Sequence, residues 1–174
     1  MLSEYTIDRN NVIFDINEGF LQFGQENGAT FVDPQTWIGQ DLLRIVQGDT
    51  TRMYYHVLFK RVRLTEKQIE LPYRCDSPTQ ARFMRMRLSC DKDLHIHFEN
   101  EIEAIVPFER PISLMYHSKG VIKRCSICNR LGINLVWTDP LKIHELPLDF
   151  DAIWKISYDI CPKCLADVKK LYVN

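Results

Sequence analysis

Four of the six cysteines form two pairs of identical spacing, Cys125-Ser126-Ile127-Cys128 and Cys161-Pro162-Lys163-Cys164. A two-residue gap lets both sulfurs of a pair turn toward one ion, and four thiolates at ~2.3 Å suit tetrahedral Zn2+. Two redox dithiols, paired disulfides or a rubredoxin-like iron centre would use the same residues, and ligand type alone leaves these open. Four sulfurs leave no coordination position for water, so the expected role is structural and not hydrolytic. A module of roughly 50 residues buries little apolar area by itself, so metal binding would supply folding free energy.

The two remaining cysteines read differently. Cys75 sits between Arg74, which would lower its thiol pKa, and Asp76, which would oppose that, and a buried structural thiol is the expectation. Cys90 reads as a core residue at a strand end. Arg74, Asp76, Ser77 and Pro78 read as a strand-end turn: Asp76 and Ser77 can accept from nearby backbone donors, Pro78 restricts the exit, and Arg74 can pair with Asp76 or another acid. Other chemistry is weaker. His95 and His97 would share one strand face and bind metal only if another ligand arrived, and hydrogen-bonded strand residues are the simpler reading. Met53, Met84 and Met86 are read as packed side chains before haem ligands. No local Ser-His-Asp or Cys-His pairing and no glycine-rich phosphate loop is present, so an enzyme is not expected.

The elements that must position these residues follow from periodicity. Residues 5–16 read as two short strands around Arg9-Asn10-Asn11, with Ile7, Val12, Phe14 and Ile16 facing inward. Asn17 caps a helix carrying Phe20, Leu21 and Phe23. Residues 24–40 read as loop with short helical turns, and Asp41 to Val46 as another short helix. Asp49 to about Leu64 is the best long helix, with Tyr54, Val57, Leu58, Arg61 and Val62 at helical spacing. Three strands follow. Gln68 to Arg74 is the first. In the second, Arg82, Met84, Met86 and Leu88 alternate with Phe83, Arg85 and Arg87. In the third, Leu94, Ile96 and Phe98 lie opposite His95 and His97, with Asp91-Lys92-Asp93 as the turn before it. Glu99, Glu101 and Glu103 read as solvent contacts on an edge. Between the cysteine pairs, short strands through residues 135–137 and 146–148 are expected, with a terminal helix from Ala166 to Leu171. A boundary between Pro107 and Pro111 divides the chain into residues 1–107 and residues 108–174.

At 174 residues, 45% apolar and 26% charged, the chain suits one globular domain with a small appendage. It is too apolar for wholesale disorder, and no apolar run approaches the length of a membrane span. Formal charge is −1 overall, with 12 Lys+Arg against 17 Asp+Glu in residues 1–109 and 10 against 6 in residues 110–174. Strong whole-protein attraction to nucleic acid or membrane is therefore not expected, because thiolate ligands would also lower the charge of the second zone. The start carries no basic region followed by an apolar run, so a cytoplasmic location is the default.

Residues 5–106 resemble a divergent PAS domain. The likeness lies in Ile7 to Asn17-Glu18-Gly19-Phe20 and in Trp37-Ile38-Gly39-Gln40-Asp41-Leu42-Leu43. It extends through Leu71-Pro72-Tyr73-Arg74-Cys75-Asp76-Ser77-Pro78 and Arg82-Phe83-Met84-Arg85-Met86, which are similar to a bacterial subgroup. The tail, Cys125-Ser126-Ile127-Cys128 with Tyr158-Asp159-Ile160-Cys161-Pro162-Lys163-Cys164-Leu165, resembles a zinc-ribbon-like segment of bacterial sensory proteins. Asp159 stands where Gly is usual, and Trp137 suits the aromatic position between the pairs. The resemblance implies an α+β fold: a PAS-like antiparallel five-stranded sheet with flanking helices, joined to a four-cysteine zinc module. It implies sensing or protein interaction through a separate signalling partner, with homodimerisation expected. Phe20, Phe23, Leu43, Tyr54, Leu58, Met84 and Met86 are candidates to line a cavity for a small molecule whose identity is unknown. They could equally pack a solid core. The alternative is a transcription-associated zinc ribbon, binding nucleic acid or polymerase through Lys119, Lys123, Arg124 and Arg130.

Overall fold

Asx-type turns and alternating side chains build the first sheet from its N-terminal strand onward. The computed structural model describes residues 2–27, 33–145 and 152–173. In it β1 (Leu2–Ile7) returns through Asn11, at φ +68°, into β2 (Ile13–Ile16). Asp8 fixes this turn, its Oδ1 accepting from the Asn10 and Val12 amides at 2.8 and 2.9 Å. Asn17 caps α1 (Glu18–Glu26), its Oδ1 accepting from the amides of Phe20 at 2.8 Å and Glu4 at 3.0 Å. Two short helices, α2 (Pro34–Trp37) and α3 (Leu42–Ile45), lead to α4 (Asp49–Thr65), and then come β3 (Ile69–Arg74), β4 (Gln80–Cys90) and β5 (Ile96–Pro107).

The strand order is β2-β1-β5-β4-β3. β1 pairs antiparallel with both β2 and β5, and short turns join β3 to β4 and β4 to β5. The fold class expected from the sequence is therefore the one found: a five-stranded antiparallel sheet with flanking helices, together with a four-cysteine cluster. Pro72 lies in β3, at the sheet edge, where its missing N–H removes no ladder bond from a central strand.

Several local expectations change, and Met53, expected to pack, is 49% exposed on α4. Phe14 is 44% exposed, while Ile13 is buried in its place. The β1–β2 register shifts between Thr6 and Ile7, so that Ile7 faces Ile13 and Phe14 is left as the extra residue of β2. Leu94 is exposed at φ +65° as the last turn residue, so β5 starts only at Ile96. Glu99, Glu101 and Glu103 are not on an edge: β1 covers that side of β5, pairing Tyr5 with Phe98. The three carboxylates instead meet cations of β4. Arg85 pairs with Glu103 and Glu70, and Arg87 with Glu101 and Glu70 at 3.2 Å and Glu99 at 4.0 Å.

The chain divides into two compact units. The first comprises Met1–Val46, Tyr55–Pro72 and Met84–Glu103. Its buried side chains include Ile7, Ile13, Leu58, Phe59, Val62, Met84, Met86, Leu88, Ile96 and Phe98. Phe98 stacks on Tyr5 at 4.3 Å and meets Phe59 edge-on at 5.7 Å between ring centroids. Arg63 ties α4 to two turns, donating to Leu94 O at 3.1 Å, Asn11 Oδ1 at 2.9 Å and Asp8 O at 2.8 Å.

The second unit comprises Gln47–Tyr54, Tyr73–Phe83 and Ala104–Asn174. It holds β6 (Leu114–Tyr116), β7 (Ile122–Cys125), β8 (Leu131–Ile133), β9 (Val136–Thr138), a 3-10 helix (Pro140–Glu145), β10 (Trp154–Asp159) and α5 (Pro162–Val173). The short strand expected at 146–148 lies outside the described residues. The strands make a second five-stranded sheet, β6-β10-β7-β8-β9, in which β10 is parallel to both neighbours. A parallel pairing needs a long crossover, and the excursion between the cysteine pairs supplies one from β7 to β10. Ile112, Ile122, Leu131, Trp154 and Ile156 form the core of this unit. Trp137 lies across Gly132, where an added Cβ would come within 2.9 Å of the indole.

The link from β6 to β7 crosses the backbone of β10 at Gly120. An added Cβ there would lie 2.4 Å from the Ile156 carbonyl carbon and 2.7 Å from the Ser157 nitrogen. Main-chain atoms of a central strand cannot step aside, so Gly120→Ala is expected to destabilise the second unit by about 1–3 kcal/mol. An unchanged urea midpoint in that variant would contradict the close crossing.

Candidate metal centre

The four cysteines come from two structural contexts. Cys125 ends β7, and Cys128 follows one turn later. The Cys125 amide donates to Arg130 O at 2.9 Å and the Asn129 amide to Cys125 O at 3.0 Å, which closes a tight knuckle with Asn129 at φ +58°. Cys161 sits immediately before α5, and Pro162 occupies the first helical position, where its missing N–H breaks no helix bond. Cys164 is one turn into the helix.

All four sulfurs lie within 4.8 Å of one another, and Cys128 Sγ is 3.7 Å from Cys161 Sγ. A tetrahedron with ~2.3 Å metal–sulfur bonds has sulfur–sulfur edges of about 3.8 Å, so the donor set fits one zinc-sized ion. Cys125, Cys161 and Cys164 are buried, and Cys128 is half-buried. Backbone amides point at the sulfurs, Cys161 N to Cys125 Sγ at 3.4 Å and Cys164 N to Cys161 Sγ at 3.5 Å, which favours thiolate charge there. Hydrogen bonds from Cys128 and Cys164 hold the Cys125 thiol well below the usual range. The same contact with Cys125 pushes Cys128 up to about 12 and raises Cys164 too. A cation at the centre would displace those protons.

The surroundings brace both halves of the cluster. Asp159 ends β10 opposite Cys125. Its Oδ1 accepts from the Ile160 amide at 2.8 Å, and its carbonyl accepts from the Ser126 amide at 2.9 Å. The carboxylate thus secures the approach turn. Thr51 Oγ1, buried near the start of α4, bonds the Ser126 hydroxyl.

Arg74 joins the knuckle to the strand-end turn. Its amide donates to Ile127 O at 2.8 Å, and Asn129 Nδ2 donates to its carbonyl at 3.1 Å. Its guanidinium grips Asp76 with two bonds, at 3.0 and 2.7 Å, and Asp139 with a third at 2.7 Å. The Phe83 ring lies 5.0 Å from its central carbon. Burial alone would pull this guanidinium down, but the bonds and charges of Asp76 and Asp139 outweigh it and hold it above its ordinary value. Asp76 Oδ1 also accepts from the Arg82 amide at 3.2 Å, and the Ser77 amide donates to Gln80 O at 3.0 Å, so the turn through Pro78 is closed by the backbone as well.

The other candidates are more dispersed. Phe20 and Phe23 are half-buried on α1, and Phe20 meets Tyr5 and Trp37 edge-on, each at 5.4 Å. Leu43, Tyr54, Leu58, Met84 and Met86 are all buried. Burial pushes the Cys75 thiol up against the pull of Arg82 and Arg124. Cys90 is only half-buried, its thiol donating to Asp91 O at 3.4 Å, because the strand opens into its turn there. His95 Nδ1 and His97 Nε2 both reach Asp91 Oδ2, at 3.1 and 3.2 Å. Asp91 Oδ1 meanwhile accepts from the Asp93 and His95 amides, which accounts for this cluster as turn structure.

Sequence reasoning missed Asn129, Asp139 and the Thr51–Ser126 pair. The Asn after the second cysteine of a pair is a local signal for a left-handed turn residue. Asp139, 65 residues from Arg74, carries no local signal. Among the described residues no helix is long and apolar enough to cross a membrane.

No protein-family model and no curated protein matches the chain. Among solved structures it is similar to the crystal structure of a sensory box sensor histidine kinase from Vibrio cholerae, with a TM-score of 0.44 and 13% identity over 60% of this chain and 83% of that chain.

Proposed function

We propose that the protein is a cytoplasmic sensory or protein-interaction module whose output passes through a separate signalling partner. Residues 1–107 supply the PAS-like sheet that receives a small molecule or a partner. Residues 108–174 carry a structural zinc held by Cys125, Cys128, Cys161 and Cys164. The observations that support this reading are the strand order β2-β1-β5-β4-β3 and a set of four cysteine sulfurs, enough to fill a tetrahedral site. A closed metal site braces and does not hydrolyse, so the mechanism is a shift between packed arrangements, selected by whichever state the ligand or partner binds better. The zinc-ribbon alternative loses support from two of its four basic residues. Lys123 Nζ donates to Ser157 Oγ at 3.0 Å, and Arg124 is half-buried with its Nε out of solvent.

Self-association is part of the proposal, with the exposed sheet face, the N-terminal segment and α4 as candidate seams. Native mass spectrometry and light scattering of the metal-loaded protein test it together. The expected result is a dimer at micromolar concentration, zinc as the metal, and either a colourless organic ligand or none. A strict monomer at high micromolar concentration would remove the homodimer, and a stoichiometric haem or flavin spectrum would replace the ligand class.

A further inference from the structure

A small cavity in the second unit is lined by Pro78, Phe108, Ile112 and Leu114, with Arg124 and Asp76 among its polar residues. Its volume is about 130 Å³. That is below the ~300–1,000 Å³ of pockets for drug-sized ligands and close to the ~150 Å³ of a cavity that takes one benzene. The walls are fixed by main-chain bonds: the Phe108 amide donates to Thr79 O at 2.9 Å and the Ile112 amide to Pro78 O at 2.7 Å.

The two charged groups on the lining are not equivalent. Asp76 is held by the Arg82 amide and by Arg74, which also pairs with Asp139. Arg124 Nε is buried and has no hydrogen-bond partner among the described residues. That atom is out of reach of a ligand in the cavity, so an acid would have to meet the terminal nitrogens of Arg124. Cys75 supplies no counter-charge, since burial keeps its thiol protonated. Arg124 thus lines the cavity with no ion pair among the described residues, beside apolar walls.

We propose that this cavity binds a small organic acid, its carboxylate on Arg124 and a branched-chain or single-ring body against Phe108, Ile112 and Leu114. A guanidinium matches a carboxylate's planar geometry, and the apolar walls select against a bare inorganic anion, which would leave them unfilled. Arg124 precedes Cys125 and is held in β7 between Tyr158 and Leu131 by strand pairing, so its backbone position is set by the same segment that presents the sulfurs. The proposal does not depend on which ion the cysteines hold.

The test uses the full metal-loaded chain, with metal content measured separately for every sample so that failure of the metal assignment is seen independently. Benzoate and 3-methylbutanoate are titrated by NMR, with benzamide as the uncharged analogue and phosphate as the bare anion. The expected result is saturable shifts at residues lining the cavity, with benzoate at least tenfold tighter than both benzamide and phosphate. Arg124→Gln should weaken benzoate at least tenfold with metal content unchanged. Should that variant fail to fold, Leu114→Trp, which fills the cavity and keeps the charge, should abolish benzoate binding. No shift with either acid, equal affinity for acid and amide, or phosphate as tight as benzoate would each overturn the proposal. So would undiminished binding in a folded Arg124→Gln or Leu114→Trp protein.

Discussion

Cys161→Ser protein, made in cells without added metal, should contain less than a tenth of the wild-type zinc, and its second unit should lose cooperative unfolding. The size of the effect follows from the site. Structural zinc contributes an apparent ~10–16 kcal/mol to small four-ligand modules, and whole domains are stable by only ~5–15 kcal/mol. Cys161 Sγ is within 3.7 Å of Cys128 Sγ and accepts the Cys164 amide, so a hydroxyl there removes a ligand at the entry of α5. The pH dependence has a definite sign. Metal binds thiolates, and with Cys128 pushed up to about 12, binding must release protons. Affinity therefore rises with pH, and metal loss to a chelator should speed up as pH falls from 8 to 5. Elemental analysis and a chelator-release assay measure both. A Cys161→Ser protein that unfolds with the wild-type midpoint would end the structural-metal reading. A red chromophore in the wild type would assign iron in place of zinc.

Asp76→Ala should give the second large effect, this one on stability alone. The Arg74 and Asp76 side chains are 5% and 4% exposed, and Asp139 is 28% exposed. Breaking a buried pair by removing one partner leaves an uncompensated charge out of water and costs ~3–5 kcal/mol. Asp139 retains one bond to Arg74, which argues for the lower end of that range. The Arg82 amide loses its acceptor as well, which argues for the upper end. Asp76→Asn, which keeps the shape and an acceptor oxygen, should lose less. For a protein of this size, 3 kcal/mol is a fall of roughly 10 °C in Tm. Differential scanning calorimetry of the two variants beside the wild type decides the matter. Wild-type stability in Asp76→Ala would mean that the pair is not buried as described.

Features held within one element could be read from the sequence, and features held between distant segments could not. Met84, Met86 and Leu88 alternate with Arg85 and Arg87, and a strand's two-residue period turns that directly into a buried face and a half-buried one. Asn17 as a cap and the two cysteine pairs are equally local. The glutamates of β5 went wrong because edge or centre depends on which strand arrives beside it. That strand is β1, whose Tyr5 pairs with Phe98 across more than ninety residues. Phe14 and Ile13 exchange roles through a single register shift that no hydrophobic pattern announces. Arg74 was legible as a partner of Asp76 two residues away, and illegible as a partner of Asp139. The cysteines could be grouped by spacing, but not the parallel strand β10 that brings Asp159 alongside Cys125.

That strand has a consequence for the order in which the chain can fold as it is made. β10 lies between β6 and β7, yet follows both by some thirty residues or more. While the ribosome is translating the first cysteine pair, β6 and β7 have no neighbour between them, and two of the four thiolates do not yet exist. The segments 47–54 and 73–83, which belong to the same compact unit, must wait longer still. Non-local pairings of this kind form late because loop closure must precede them. The core of this unit thus lacks Trp154 and Ile156 until β10 has emerged, and incompletely covered apolar surface of this kind favours aggregation.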